Sequence, residues 1–401
     1  MDSPISIAKV NKLLEYSQTN ISYYNKIFNR ISPRISYEHF SSIPLLDTYT
    51  AHKNEYNLSL EPKQGDENEI LMGVLGLPLK IVRSNLESTR LAMQLTLERR
   101  KHLQGLPQRL KIAVFSASIK EIVKYNVRSD LLEFSLREIN DEALEMQMKA
   151  IVKHKSQILI GPPSIIARLA KICSESKLET KNLELIETRS EIMNYKQRQA
   201  IEGVFNCPVT NVFGNHEQWV IGYSCKEKSI HIADEQVMVN IVDSSGRTLP
   251  YGASGEVIMT GLNNYSMPLI RYKLGITGVL YPSSYCNCKR NSPVIKFPNY
   301  KNYDWITTER GLTSPSSFTN LFRGISGPEY SDIRKINLIQ KSTRGFEFII
   351  FSEEKKLYDV DKLKPILVAI SKVINDSFDI SFRIKKPEEM GHDRRWFLNQ
   401  I

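Results

Sequence analysis

Four side chains with an affinity for borderline-soft metals fall into two close pairs. Cys225 and His231 form a C-x5-H pair, and Cys286 and Cys288 a C-x-C pair further along the chain. Tetrahedral Zn²⁺ takes three thiolates and one imidazole readily, and two turn-borne pairs from distant loops can staple a subdomain together. Protein groups would fill all four positions of such a site and leave none for water, so the ion would be structural. Three free thiols and a lone histidine describe the same residues equally well, and spacing alone leaves both descriptions open. The other two cysteines, Cys173 and Cys207, stand among apolar residues. A total of five, in a chain whose N-terminus does not read as a secretory signal, argues against a disulfide framework.

The elements that must position such groups follow from size and pattern. A chain of 401 residues with 41% hydrophobic content can bury a substantial core, and two domains is the natural expectation. No apolar run of about 18 residues appears, and the opening MDSPISIAKVNKLLEYSQ lacks the charged, apolar and small-residue segments of a leader. A cytoplasmic, soluble protein without membrane contact is expected. The excess of 54 basic over 44 acidic residues, +10, would suit nucleic acid, an anionic surface, phosphorylated small molecules or acidic carrier proteins. That charge is spread along the chain, with no basic run interleaved with aromatics and no helix-turn-helix or RNA-binding signature. Nucleic acid is therefore not an expected partner.

Beyond a helical and irregular first 60 residues, in which Asp47 is placed to cap a helix, the elements alternate regularly. A strand near Leu71 precedes a glycine turn, and Leu86, Leu91, Leu95 and Leu103 form a helical stripe ending near Gly105-Leu106-Pro107. Buried strands are expected at 112–115, 157–160, 183–186 and 209–213. Helices separate the last three, one capped at Ser164 with Ile165, Leu169 and Ile172 on one face, and one through Tyr195, Arg198 and Ile201. This rhythm implies a mostly parallel sheet covered by helices. From about Ser229 hairpins take over, at 237–242, 255–260 and 269–272, which suggests an antiparallel, partly barrel-like subdomain. A Gly/Pro segment at 324–329 reads as a linker, followed by strands at 336–340 and 346–351, a helix at 360–374 and a strand at 380–384. The expected fold is thus α/β: a large domain over 1–325, with mostly parallel sheets and the barrel-like part, then a small α+β lid over 326–401.

Two stretches give this order of segments a family character. Gly255-Glu256-Val257-Ile258-Met259-Thr260-Gly261-Leu262 is followed by Met267-Pro268-Leu269-Ile270-Arg271-Tyr272-Lys273-Leu274-Gly275, and Phe213-Gly214-Asn215-His216-Glu217 follows a strand. Nearly the whole chain resembles the adenylate-forming superfamily, and within it phenylacetate–coenzyme A ligases and the related capsule-biosynthesis-type adenylyltransferases. The resemblance implies attack of a small, perhaps aromatic, carboxylic acid on the α-phosphate of ATP, then acyl transfer to the thiol of coenzyme A or an acyl carrier protein. Such chemistry needs backbone N–H groups around the phosphates, a carboxylate for Mg²⁺, an acid for the ribose hydroxyls and a cation at the α-phosphate.

By resemblance, Gly73, Gly76 and Lys80 occupy the phosphate loop, Glu217 is the Mg²⁺ carboxylate, and Arg271 and Gly275 belong to the nucleotide segment. Ser190 and Glu191 line the acyl and adenine sites, with Phe213, Gly214, Asn215 and His216 beside the acyl pocket. Arg394 stands in the lid segment that normally carries a lysine. Relatives of the capsule type also show a similar set of cysteines and histidine, which supports zinc at Cys225, His231, Cys286 and Cys288, and dimers among relatives make a homodimer compatible with the family.

Three positions depart from the pattern. The loop around Met72, Val74 and Leu75 lacks hydroxyls, Ile276 replaces the ribose acid, and no lysine lies in Met390-Gly391-His392-Asp393-Arg394-Arg395-Trp396-Phe397. The hinge, Lys301 to Asp304, lacks its usual Gly-Arg pair. An aliphatic side chain at 276 leaves buried hydroxyls unpaired at about 1–3 kcal/mol each. ATP and AMP are thus the expected ligands of a degenerate site. A catalytically silent binding protein of the same fold, or an acyltransferase using a preactivated acyl group, are the alternatives.

Overall fold

The computed structural model describes residues 4–72, 75–103, 110–117, 119–298, 304–317, 330, 332–353, 379–391 and 395–401. Helices α1 (Pro4–Asn20), α2 (Ser22–Ile31), α3 (Thr48–Lys53) and α4 (Glu55–Leu58), with a 3₁₀ turn over Tyr37–Ser42, precede a hairpin of β1 (Glu67–Met72) and β2 (Pro78–Arg83). Asp47 caps α3 as expected, its carboxylate accepting from Thr50 N–H at 2.7 Å. Helix α5 (Asn85–Arg100) starts at a capping box in which Ser84 and Glu87 satisfy one another's main-chain N–H. Leu91 and Leu95 are buried along it, whereas Leu86 is 59% exposed. The apolar stripe therefore begins one turn later than leucine spacing suggests, because the first turn turns Glu87 inward to hold the 265–266 loop.

The α/β core consists of β3 (Ile112–Ser116), β4 (Val123–Asn126), β5 (Leu131–Ser135), α6 (Asp141–His154), β6 (Ile158–Gly161), α7 (Pro163–Glu175), β7 (Leu185–Thr188), α8 (Tyr195–Phe205) and β8 (Val209–Phe213). Every residue of β6, β7 and β8 is buried, as a sheet covered on both faces requires. The cap of α7 is Pro162, with Pro163 at its first position, and Ser164 lies inside the helix. Its hydroxyl donates to Glu191 instead (2.8 Å), so the expected cap is displaced by two residues.

Next come β9 (Gly222–Ser224), β10 (Ile230–Ile232), β11 (Val237–Val242), β12 (Ser254–Gly261), β13 (Tyr272–Tyr281) and β14 (Val294–Lys296). The sequence suggests a strand at 269–272, but pairing starts only at Tyr272. Gly261 N–H donates to the Leu269 carbonyl, and Arg271 adopts a left-handed φ of 52°. Twelve strands form one sheet in the order β11-β12-β13-β14-β10-β9-β8-β7-β6-β3-β5-β4. Its β8–β7–β6–β3–β5 portion is parallel, and β9 to β14 pair antiparallel.

The C-terminal part comprises the hairpin β15 (Ile306–Thr308) and β16 (Gly311–Thr313), and a sheet of β17 (Ile333–Gln340), β18 (Gly345–Ser352), β19 (Asp379–Lys385) and β20 (Phe397–Asn399), ordered β19-β18-β17-β20. The expected linker at 324–329 and helix at 360–374 lie outside the described residues. The core of this small sheet is shared with the rest of the chain: Tyr49, Leu77 and Ile306 pack with Ile336, Phe348, Trp396 and Phe397.

One buried charge cluster ties α5 to the sheet. Glu187, fully buried on β7, accepts two bonds from Arg99 (2.8 and 2.9 Å), one from Arg189 and one from Tyr223 Oη (3.0 Å). Burial pushes its carboxyl up, but the Arg189 and Arg99 guanidiniums outweigh that and hold it at about 2. Since the folded value lies below the ordinary 4.5, the contribution to stability is complete above that pH and fades as pH falls toward about 2. Glu187→Gln should therefore cost roughly 3–5 kcal/mol at neutral pH and flatten the acid limb of a urea-midpoint-against-pH curve. A midpoint equal to the native protein's at pH 7 would show the cluster to be energetically neutral.

Candidate functional site

Strand β8 ends at Phe213, buried against Phe297 with ring centroids 4.5 Å apart. The chain then reverses through Gly214, where a Cβ would run into the Trp219 carbonyl oxygen, so only glycine fits. Asn215 closes the turn by accepting from Gln218 N–H at 2.9 Å, while His216 is exposed. Arg83, buried in β2, donates to the carbonyls of His216 and Glu217 and pairs with Glu67 at 2.9 Å. The turn thus presents the Glu217 carboxylate, 9% exposed, at the carboxyl end of a parallel strand, where α/β sheets gather ligands. Its Oε1 accepts from Tyr272 Oη at 3.0 Å, and Tyr272 Oη in turn meets Thr48 Oγ1 at 3.0 Å. Burial pushes the Tyr272 phenol well up, so it remains a neutral donor. No bond is formed to the other Glu217 oxygen among the described residues.

Arg271, expected beside the nucleotide, has a different task. Its guanidinium, 1% exposed, donates to the main-chain carbonyls of Phe40, Ser41 and Ile43 (2.6–3.2 Å) and to that of Gly246. With its Nη groups on four carbonyls and its side chain buried, Arg271 clasps two loops, a task the sequence reading did not foresee. Lys80 also turns elsewhere. Its ammonium lies 5.3 Å from the Tyr56 ring centroid and beside Glu55, among the N-terminal helices.

Of the expected phosphate loop, Gly73 lies outside the described residues and Gly76 sits against the C-terminal sheet. With φ at 72°, a Cβ there would meet the Ile336 carbonyl oxygen at 2.5 Å and Trp396 Cβ at 2.8 Å, and Leu75 O accepts from Ile336 N–H at 3.0 Å. Gly275, φ 71°, follows the irregular start of β13, and Ile276 packs on the apolar core. Ser190 is exposed with φ at 68°. The Glu191 carboxylate is occupied by Ser164 N–H, Ser164 Oγ and Trp305 Nε1, at 2.8–3.1 Å, and so joins α7 to the residue before β15. Arg394 lies outside the described residues. The neighbouring Arg395 pairs with Asp304 at 3.1 Å.

Tyr272, Thr48 and Arg83 went unread in the sequence as parts of this site. Tyr272 adjoins a motif residue and could have been noticed. Thr48 carries no local signal, since its partner lies 224 positions away.

The two Cys/His pairs do meet. The donor atoms of Cys225, His231, Cys286 and Cys288 all lie within 4.8 Å of one another. Cys225 Sγ and Cys286 Sγ are 3.6 Å apart, and Cys288 Sγ is 3.1 Å from His231 Nε2. The edge of a zinc–thiolate tetrahedron with bonds of about 2.3 Å is about 3.8 Å, so the sulfur spacing fits that ion. His231 Nδ1 donates to the Ser292 carbonyl at 2.8 Å, which leaves Nε2 with a lone pair facing the sulfurs.

This α/β core, continued by antiparallel strands in the same sheet and followed by a small mixed sheet, is a fold found among solved ligase structures. The chain is similar to 2-hydroxyisobutyryl-CoA ligase in complex with 2-HIB-AMP and CoA in its thioesterification state, with a TM-score of 0.63 and 14% identity over 98% of this chain and 88% of that one. An open conformation of the same ligase gives a TM-score of 0.59 at 13% identity, covering 96% and 88%. Among curated proteins the chain is similar to Protein CapK of Staphylococcus aureus, 22% identical over 294 residues. That match spans 73% of this chain and 63% of CapK. No protein-family model matches. No helix among the described residues is long and apolar enough to cross a membrane.

If Arg271 is a clasp, Arg271→Lys should lower the urea midpoint by an amount worth about 2–4 kcal/mol, because one ammonium cannot span four carbonyls on two loops. An unchanged midpoint would return Arg271 to the ligand.

Proposed function

We propose that the protein is an adenylate-forming enzyme of the cytoplasm that activates a small carboxylic acid with ATP and passes the acyl group to a thiol of coenzyme A or a carrier protein. The observation that carries this reading is the Glu217 carboxylate. It stands at the end of β8, one oxygen fixed by Tyr272 and the other without a protein bond among the described residues. A buried acid held on one side only suits a hard cation bound through oxygen. Mg²⁺ there would neutralise charge on the ATP phosphates.

In this reading the chain's own residues do most of the positioning. Arg83 fixes the turn through its two carbonyl contacts, Tyr272 orients the carboxylate, and Thr48 orients Tyr272. Phe213, Asn215 and His216 border the acyl group, and Gly76 lies where the C-terminal sheet, the proposed lid from about 326 onward, approaches. The carboxylic acid oxygen attacks the α-phosphorus and pyrophosphate leaves; the thiol sulfur then attacks the acyl carbon and AMP leaves. By the same family resemblance, Arg394 in the lid segment is the residue that would supply positive charge at the α-phosphate.

A second reading, a silent binding protein of the same fold, is favoured by Ile276 on the core and by Gly76 sealed under Ile336. We further propose that Cys225, His231, Cys286 and Cys288 hold one structural Zn²⁺ that pins the β9–β10 hairpin to the loop before β14.

Pyrophosphate exchange with a panel of carboxylic acids, alongside ATP titration by calorimetry, tests the first reading: exchange is expected, and no ATP binding at millimolar concentration would rule it out and leave the silent protein or an acyltransferase using a preactivated acyl group. Glu217→Gln should abolish exchange with the fold intact. Tyr272→Phe should raise the KM for Mg²⁺ about tenfold or more with a smaller change in kcat. For the metal, elemental analysis of purified protein should give close to one equivalent of zinc, and Cys286→Ser should lose it together with thermal stability. A metal-free protein of equal stability would end the zinc assignment.

A further inference from the structure

Strand β11 lies at the edge of the large sheet: it pairs along its length with β12, and on its other side only through an isolated bridge from Val242 to Thr248. Leu262 N–H donates to the Gln236 carbonyl at 2.7 Å, which sets the alternation: residues 238, 240 and 242 turn their main-chain groups toward β12, and Val237, Val239 and Ile241 turn theirs away. The ends of that outer row are occupied. Val237 N–H donates to the Ala233 carbonyl at 3.0 Å, and the Ile241 carbonyl accepts from Leu249 N–H at 2.7 Å. Between them, the Val237 carbonyl, both main-chain groups of Val239 and the Ile241 N–H have no partner among the described residues. Val239 is only 6% exposed, and buried main-chain groups in folded proteins are almost always bonded.

A cavity of about 620 Å³ runs along this edge, within the range of ligand sites. Phe40, Leu249 and Leu280 supply apolar walls. Asn240, 9% exposed, lines the cavity and has no side-chain partner among the described residues. Half-buried Asp234 stands at the Val237 end without an ion pair among them. The walls are rigid. Arg271 holds the carbonyls of Phe40 and Ser41 on one side and of Gly246 on the other, so the opening is set before anything enters it.

We propose that this seam binds an extended peptide segment, which adds as a strand to the free edge of β11. Only a polyamide repeats N–H and C=O at the strand spacing that Val237, Val239 and Ile241 present. Its apolar side chains meet Phe40, Leu249 and Leu280, and a basic side chain or free amino group meets Asp234.

The full-length protein is titrated with a positional-scanning library of blocked hexapeptides, followed by calorimetry and amide exchange. Selected peptides should be apolar at alternate positions, carry Lys or Arg at one end and slow the exchange of Val239 and Ile241 N–H. N-methylation of the peptide residue opposite Val239 should weaken binding about tenfold or more, a test that needs no protein variant. Asp234→Lys should weaken basic peptides by a similar factor and leave uncharged ones unchanged. The proposal is overturned if no peptide binds at millimolar concentration, if Val239 exchange is unaffected, or if N-methylation makes no difference, which would assign the cavity to a compact apolar molecule.

Discussion

A guanidinium with no counter-ion among the described residues organises the front of this protein. Arg271 is buried, and burial pushes its pKa down, so its charge is tolerated only because four carbonyl dipoles surround it. Those carbonyls belong to the Tyr37–Ser42 turn, to Ile43 just after it and to the hairpin that begins at Asp243. The same residue takes a left-handed φ, with its N–H given to Thr260 Oγ1 at 3.0 Å. The bend this makes lets β13 start one residue later with Tyr272 pointing at Glu217. The clasp on two loops and the orientation of the candidate carboxylate are therefore consequences of one residue's conformation.

The α/β core was legible because its strands are buried on both faces and read as short apolar runs: Ile158–Gly161 and Val209–Phe213 are where the sequence puts them. The zinc-type quartet was legible for a different reason. Cysteine and histidine are scarce, and two tight pairs leave few ways to combine. What sequence could not supply was the destination of long cationic side chains. Arg271 lies in the most family-specific stretch, yet three of its four main-chain carbonyl partners are 228–231 positions away, and carbonyls have no residue-type signature. Lys80 fails for a related reason: a four-carbon stem on a strand can follow either face, and Glu55 and Tyr56 draw it to the N-terminal helices. Ser164 was misplaced because two prolines pre-set the first helical turn and displaced the expected hydroxyl cap.

The C-terminal sheet is not an appendage in this arrangement. Its core borrows Tyr49, Leu77 and Ile306. One glycine admits it at van der Waals closeness, Gly76 beneath Ile336, and a second, Gly311, φ 127°, admits the β15–β16 hairpin, because a Cβ there would clash with the Ile139 carbonyl oxygen. Around Gly311, Ile139 and Leu312 exchange main-chain bonds at 2.6 and 2.8 Å, so β16 is bridged to the segment before α6. Apolar burial supplies the attraction and the absence of Cβ atoms supplies the fit.

Helix α3 connects that contact to the candidate carboxylate. Thr48 and Tyr49 are consecutive in its first turn: one bonds the phenol that holds Glu217, and the other lies beneath the Arg334 guanidinium of β17, 3.7 Å from ring centroid to Cζ. Asp47 caps the turn, which keeps the two side chains in a fixed relation. Motion of β17 that carries Arg334 off Tyr49 acts on the same short helix that sets the Thr48–Tyr272–Glu217 chain, and no flexible segment intervenes between the two contacts. The closeness of the C-terminal sheet and the orientation of Glu217 are in this way mechanically linked, through residues that touch neither nucleotide nor acid in the proposed reaction.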